Sequence, residues 1–341
     1  VPFPRARTPG RPRPVALALL VALAALLVTV TGTASAESSY TRLAGEDRYA
    51  TAVTISRYAY QPRYGGDQFA VTVASGTELT DALAAGLLAG SETGPLLLVP
   101  EDGVVPPVVT QELARLHPYL VNVTGGAGSV SGRVETQLTL SAPFVFRLAG
   151  RDRYETAAAA ARTTGARQPT VFLAGDGAVA DALGGSAAAG ESGGALLLTR
   201  RESLPEPTRR WLAAHDPAKV VVLGGQGSVS DAVVRQLRGA LPGVPVERWS
   251  GRDRYETAAV ISRQTYPHGA RTVFLASGTS YADALTGAPA AARSGAPLLL
   301  TTRECLPPAT DAEISRLGAT SVVVLGGKAS VGEEAAHLTV C

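Results

Sequence analysis

The chain has 341 residues, with 31 basic and 29 acidic side chains and a formal net charge of +2. At 45% hydrophobic and 18% charged, with 37 glycines, its composition excludes a disordered or collagen-like protein. The length suits two or three domains, long enough in total to bury a large core without staples.

The first 36 residues differ in kind from the rest. Arg5, Arg7, Arg11 and Arg13 make a positive start, Val15 to Val28 is an uncharged apolar run, and Ala34-Ser35-Ala36 offers a small-residue cleavage site. This is the plan of a secretory signal peptide, and the run is shorter than the roughly 20 residues that span a bilayer. Cleavage after Ala36 removes four Arg and no acid, so the mature chain carries 27 basic and 29 acidic residues. Its net charge of −2 gives no support for nucleic-acid binding. No membrane association is expected after cleavage.

Beyond residue 36 the chain repeats itself. Arg42-Leu-Ala-Gly-Glu-Asp-Arg-Tyr49 returns as Arg147-Leu-Ala-Gly-Arg-Asp-Arg-Tyr154 and again as Arg248-Trp-Ser-Gly-Arg-Asp-Arg-Tyr255. Asp81-Ala-Leu, Asp181-Ala-Leu and Asp283-Ala-Leu follow, then a Leu-Leu-Leu run, then Gly125-Gly126, Gly224-Gly225 and Gly326-Gly327 before a Ser-Val step. Matched landmarks in one order define three homologous modules, placed at 37–145, 146–246 and 247–341. The second copy shows the elements best. Residues 152–162 read as a helix, 170–174 as a strand, 181–189 as a helix and 195–199 as a strand. A Pro-opened helix spans 207–214, a strand 219–223, a helix 230–240 and a strand 246–249. The strands are continuous apolar runs, which implies burial on both faces. Their alternation with helices predicts right-handed βαβ units and a parallel sheet. The fold class is therefore α/β, with three tandem Rossmann-like modules.

These motifs resemble the cell wall-binding repeat 2 family of Gram-positive surface proteins. The resemblance rests on Arg-Leu-x-Gly-x-Asp-Arg-Tyr-x-Thr-Ala, Ser-Gly-x-x-x-x-Asp-Ala-Leu, Pro-Leu-Leu-Leu and Gly-Gly-x-x-Ser-Val, over residues 42 to about 337. It implies a secreted, wall-associated protein whose three modules pack about a pseudo-threefold axis and attach non-covalently to an anionic wall polymer. Two departures stand out: Glu46 where the other copies have Arg, and Gly175-Asp-Gly177 where they have Ser-Gly-Thr.

The candidate polymer-binding residues come in threes. Asp81, Asp181 and Asp283 each follow a strand and open a helix, where open α/β sheets take ligands; an N-cap would read the same way. Arg48, Arg153 and Arg254 sit at another strand-to-helix junction. A guanidinium there can fork onto a phosphate or carboxylate, or pair with an internal carboxylate. Gly175-x-Gly177-x-x-Ala180 has the letters of a dinucleotide fingerprint, but the other two copies lack the pattern. Gly190-x-Ser192-x-Gly194 leaves a helix and enters a strand, the reverse of a nucleophile elbow, and reads as a turn. His117, His215, His268 and His337 do not cluster. His117 and His215 are placed at one repeat position opposite Gly318, and no metal or cofactor site is expected. Cys305 and Cys341, the only thiols, suggest one disulfide in a secreted chain; an unpaired C-terminal thiol is the alternative.

The reading is a binding protein and not an enzyme, since every polar feature that stands out is triplicated. A wall hydrolase (an N-acetylmuramoyl-L-alanine amidase, or its modifier) and a structural surface-layer component are the rival readings.

Overall fold

Continuous runs of Val, Leu and Ala have no polar face, so as strands they must be covered on both sides. In the computed structural model they form three four-stranded sheets with every strand pairing parallel. The structure describes residues 39–61, 70–78, 82–84, 86, 94–163 and 169–341. The expected signal peptide at 1–36 and Asp81 lie outside them. Among the described residues no helix is long and apolar enough to cross a membrane.

The first repeat contributes β1 (Ser39–Leu43), β2 (Ala70–Ser75), β3 (Leu96–Val99) and β4 (Leu120–Thr124). The second contributes β5 (Phe144–Leu148), β6 (Thr170–Gly175), β7 (Ala195–Thr199) and β8 (Lys219–Leu223). The third contributes β9 (Val246–Trp249), β10 (Thr272–Ser277), β11 (Leu298–Thr301) and β12 (Ser321–Leu325). The sheets run β3-β2-β4-β5, β7-β6-β8-β9 and β11-β10-β12-β1. Each sheet thus borrows its last strand from the repeat that follows, and β1 closes the third sheet in the register Thr41–Val323. The boundaries expected at 145/146 and 246/247 fall inside β5 and β9.

The helices are α1 (Arg48–Ala59), α2 (Pro107–Leu116), α3 (Gly132–Leu138), α4 (Arg153–Thr163), α5 (Val179–Ser192) and α6 (Glu206–His215). They continue as α7 (Asp231–Ala240), α8 (Arg254–Thr265), α9 (Tyr281–Arg293), α10 (Pro308–Leu317) and α11 (Glu333–Ala336). Helix α5 packs on α9 and α8, and α9 packs on α1. The contact between an inner helix and the first helix of the next repeat therefore recurs at the 2–3 and 3–1 steps, as a closed ring requires. The main core runs through all three repeats and joins Leu83, Leu183 and Leu285. Residues 38–341 form one unit.

Helices α2, α6 and α10 open behind Pro106, Pro205 and Pro307 and close on a left-handed residue. That residue is His117 (φ 47°), Asp216 (φ 41°) and Gly318 (φ 65°). His117 therefore corresponds to Asp216 and not to His215, which corrects the sequence alignment by one residue. The disulfide joins Cys305 to Cys341 with Cα atoms 5.1 Å apart and excludes the free-thiol alternative. It clamps the tail where Val340 bridges Leu306. Closing a loop of separation 36 contributes about 3–4 kcal/mol by chain entropy.

Candidate functional site

In the order β7-β6-β8-β9 the chain reverses direction between β6 and β8. The carboxyl ends of two such strands leave a crevice where open α/β sheets take ligands. Here that crevice is a cleft of ≈ 430 Å³. Its floor comes from the loops after β6 and β8. One wall is the head of α8 with Tyr281, both from the third repeat.

Asp181 lies in this cleft. It is not an N-cap: Ala178 holds that position in α5, and Ser280 holds it in α9. Asp181 and Asp283 are each the third helical residue and are 7% exposed. Ser228 Oγ donates to Asp181 Oδ2 at 2.8 Å. Gly224 follows β8 with φ 85°, and a Cβ there would stand 2.1 Å from that same oxygen. Gly326 (φ 92°) repeats this against Asp283 at 2.1 Å. Gly224 and Gly326 are thus each required twice, by the left-handed backbone and by the carboxylate against it. Burial pushes the Asp181 carboxyl above the usual range, while the Ser228 hydrogen bond and the Arg254 charge pull the other way. Asp283 is raised by burial too, against Ser330 and Arg48. A carboxylate of one repeat is therefore faced by the guanidinium of the next: Asp181 by Arg254, and Asp283 by Arg48.

The repeated Asp-Arg pairs do not pair with each other. Asp47, Asp152 and Asp253 accept backbone N–H bonds at the heads of α1, α4 and α8. Thr51, Thr156 and Thr257 accept from the N–H of Gly45, Gly150 and Gly251 at 3.0, 3.1 and 3.0 Å. Arg254 donates to Gly278 O and to the Tyr281 hydroxyl, both at 2.6 Å. Arg48 donates to Gly76 O. Arg48, Arg153 and Arg254 are exposed. In the second repeat Asp176 stands where the others have Gly76 and Gly278, and it accepts from the Tyr154 hydroxyl. Burial, reinforced by Asp176, pushes that phenol up to about 12.

The first Arg of the motif, unassigned by sequence, has a structural task. Arg147 Nη1 donates to Gly125 O at 2.8 Å, Arg248 to Gly224 O at 2.7 Å and Arg42 to Gly326 O at 3.0 Å. Each also meets an acid on the following helix: Glu135, Asp231 or Glu333. These contacts fasten the borrowed strand to the glycine loop beside the cleft. Ser228 was a landmark in the sequence but carried no role there. Its repetition before Val229, as Ser330 before Val331, was the available signal.

The remaining motifs are structural. Glu46 and Ala50 stand in the first repeat where the others have the pairs Arg151–Glu155 (3.0 Å) and Arg252–Glu256 (2.8 Å), so the Glu46 departure costs the first repeat one exposed ion pair. Gly190 to Ser192 are the last residues of α5, so only the left-handed Gly193 and Gly194 of that segment form the turn expected there. His215 stacks on Trp211 at 3.9 Å, and His337 meets Tyr40 edge-on at 5.4 Å. Among the described residues no group of three His, Cys, Asp or Glu could hold a metal.

The cell wall binding domain 2 family matches three times, over residues 42–135, 147–234 and 248–336. The chain is 30% identical over 305 residues to an N-acetylmuramoyl-L-alanine amidase, LytC, of Bacillus subtilis, covering 89% of this chain and 59% of that protein. It is 28% identical over 294 residues to an amidase enhancer of the same organism, covering 86% of this chain and 39% of that one. Among solved structures, Cwp6 from Clostridium difficile superposes with a TM-score of 0.80 at 28% identity, over 89% of this chain and 48% of Cwp6. Cwp8 from the same organism gives 0.76 at 29%, over 91% and 53%. This chain spans about half the length of these relatives. With three matched repeats that span most of its length, the chain belongs to the cell wall binding domain 2 family and is a cell-wall-binding protein.

Proposed function

We propose that this protein is exported and held non-covalently on an anionic wall polymer of teichoic-acid type, gripped at the junctions between repeats. The observation that carries this is the pairing across a cleft of a buried carboxylate from one repeat with an exposed guanidinium from the next. Asp181 gives one oxygen to Ser228, and its other oxygen suits a sugar hydroxyl. Arg254 keeps further N–H groups for a phosphate or carboxylate beside that sugar. Asp283 with Arg48 makes the same site. Arg153 is the corresponding guanidinium of the second repeat. Weak sites linked in one rigid body add through effective concentration. The reading is of binding without catalysis: the amidase activity named for the relatives belongs, on this view, to the parts of those proteins beyond the match.

Sedimentation with purified walls tests it, before and after extraction of their secondary polymers. Extraction is expected to remove binding, and rising salt to weaken it as charges are screened over about 8–10 Å. Arg254→Ala is expected to weaken binding in part, and the triple change Arg48→Ala, Arg153→Ala, Arg254→Ala to abolish it with an unchanged melt. Loss of binding confined to variants that melt early would overturn the assignment.

A further inference from the structure

The cleft between the second and third repeats is not where this protein concentrates positive charge. The 2–3 cleft is lined by Asp176, Asp181 and Asp253 as well as by Arg201, Arg252 and Arg254, three of each sign. The excess lies elsewhere. Residues 200–249, the later half of the second repeat with the strand it borrows, hold eight basic and five acidic side chains, net +3. The matching segment 100–148 of the first repeat holds three and four, net −1. In the third, 302–341 with the borrowed 39–43 holds four and five, again net −1. One fold with one backbone has therefore been given a basic face in one repeat only.

Part of that excess borders a groove of ≈ 430 Å³ between α7 and the edge strand β9. Asp231, Arg235, Arg238, Val246, Glu247 and Arg248 line it. Its acids are already engaged. Asp231 takes Arg248 at 3.2 Å and Gln226 at 2.8 Å. Glu247 takes Lys219 at 3.6 Å and the Trp249 indole N–H at 3.1 Å. Arg235 and Arg238 are exposed and, among the described residues, have no hydrogen-bond or ion-pair partner. They are three apart on α7, so their side chains stand side by side on one helix face. The corresponding residues are Thr136 and Thr139 in the first repeat and His337 and Val340 in the third.

We propose that the α7–β9 groove of the second repeat is a separate binding site for a phosphate-bearing polyanion, with Arg235 and Arg238 as its forks. Planar guanidinium groups with unspent N–H donors match phosphate oxygens in pairs. The arginine pair has no counterpart at the corresponding positions of the other repeats, so it gives the molecule one charged side and the polymer one direction of approach. The site adds to the wall-polymer reading but stands on the groove's own charge.

The test uses the full chain and a synthetic glycerol-phosphate dodecamer, with neutral dextran as the uncharged probe, in 0.1 M salt. Wild type is expected to bind the dodecamer and not dextran. Arg235→Gln with Arg238→Gln is expected to lower that affinity about tenfold and flatten its salt dependence, with an unchanged melt. Arg235→Glu with Arg238→Glu should lower it further. Dodecamer affinity unchanged in both double variants overturns the groove site, and so does equal binding of dextran. The two readings fail separately. Wall binding weakened by Arg254→Ala with dodecamer affinity unmoved by the groove variants keeps the clefts and removes the groove. The converse keeps the groove and removes the clefts.

Discussion

A buried carboxylate that is held by one serine and merely faced by an arginine is a costly group to keep ionised. At Asp181 burial outweighs both helpers, and the folded-state pKa stands above the ordinary 3.8. Between those two values the native state binds the proton more tightly than the unfolded chain. Stability from this group therefore falls as pH rises through that window, and it stays lowered at neutral pH. A residue that weakens the fold while lining a cleft fits a task other than stability. Asp181→Asn keeps an acceptor for Ser228 and removes the charge. The melting temperature at pH 7 is expected to hold or rise, and the variant should gain less at pH 4, where wild type is partly relieved. Wall binding should fall in the same variant. Melts at the two pH values check this; a variant that loses more at pH 7 than at pH 4 would show that the carboxylate stabilises as an anion.

Between elements, the three repeats record two solutions to one packing problem. In the first repeat α2 brings Glu112 against α1, fully buried, where it accepts from Ser56 at 2.6 Å, Arg57 at 3.0 Å and Arg115 at 2.6 Å. Burial alone would raise that carboxyl, but the hydrogen bonds from Arg115, Ser56 and Arg57 outweigh it and hold it low. Glu313 repeats the arrangement with Ser262, Arg263 and Arg316. In the second repeat Trp211 stands at this position, and Ala160, Ala161 and Ala214 replace Ile55, Ser56 and Arg115. The large ring takes the space that small neighbours leave; the acid and the second arginine are gone, while Arg162 keeps the place of Arg57. Glu112→Ala strands Arg57 and Arg115 over a cavity and is expected to cost about 3 kcal/mol. The quadruple change Ile55→Ala, Ser56→Ala, Glu112→Trp, Arg115→Ala copies the second repeat and should lose less than that single change, since a packed apolar cluster can replace a buried ionic one. Urea denaturation decides between them. None of this was legible in the chain, because a lone Glu in a short helix looks like a solvated residue until its partner helix is placed. The strands of the second repeat at 195–199 and 219–223 were legible to the residue, since buried parallel strands leave continuous apolar runs between Gly and Pro. Asp181 was visible as a landmark, while its partner Ser228 is 47 residues away and only the fold joins them.

At the scale of the whole molecule, repetition told the number of modules but not how they share strands. Pairing in a sheet is non-local, and nothing in Ser39–Leu43 itself says that its neighbour is Ser321–Leu325. The consequence is a ring in which every sheet is completed by the next repeat, and the covalent break lies between β12's repeat and β1. In the first two repeats the link from the outer helix to the borrowed strand is five residues, 139–143 and 241–245. After α11 the chain has the same five residues, 337–341, but they turn back to Leu306 and are locked by Cys305. Joining Cys341 to Ser39 through a short Gly-Ser linker that makes up for the shorter α11 should therefore restore the link used elsewhere, once both cysteines are changed to serine. Opening that closed chain before Phe144 would make β5 the leading strand, as β1 is now. We expect this permutant to fold with the secondary structure of the linear Cys305→Ser, Cys341→Ser protein and to melt in one transition within a few degrees of it. Termini placed at an exposed link between elements are tolerated when the backbone bonds on either side survive. The linear double-serine protein is the proper reference because both chains then lack the clamp. Circular dichroism and calorimetry read the outcome. A permutant that melts in two steps would mean that the repeats are held in sequence along the chain, with β1 an appendage to the third sheet and not the closure of a ring.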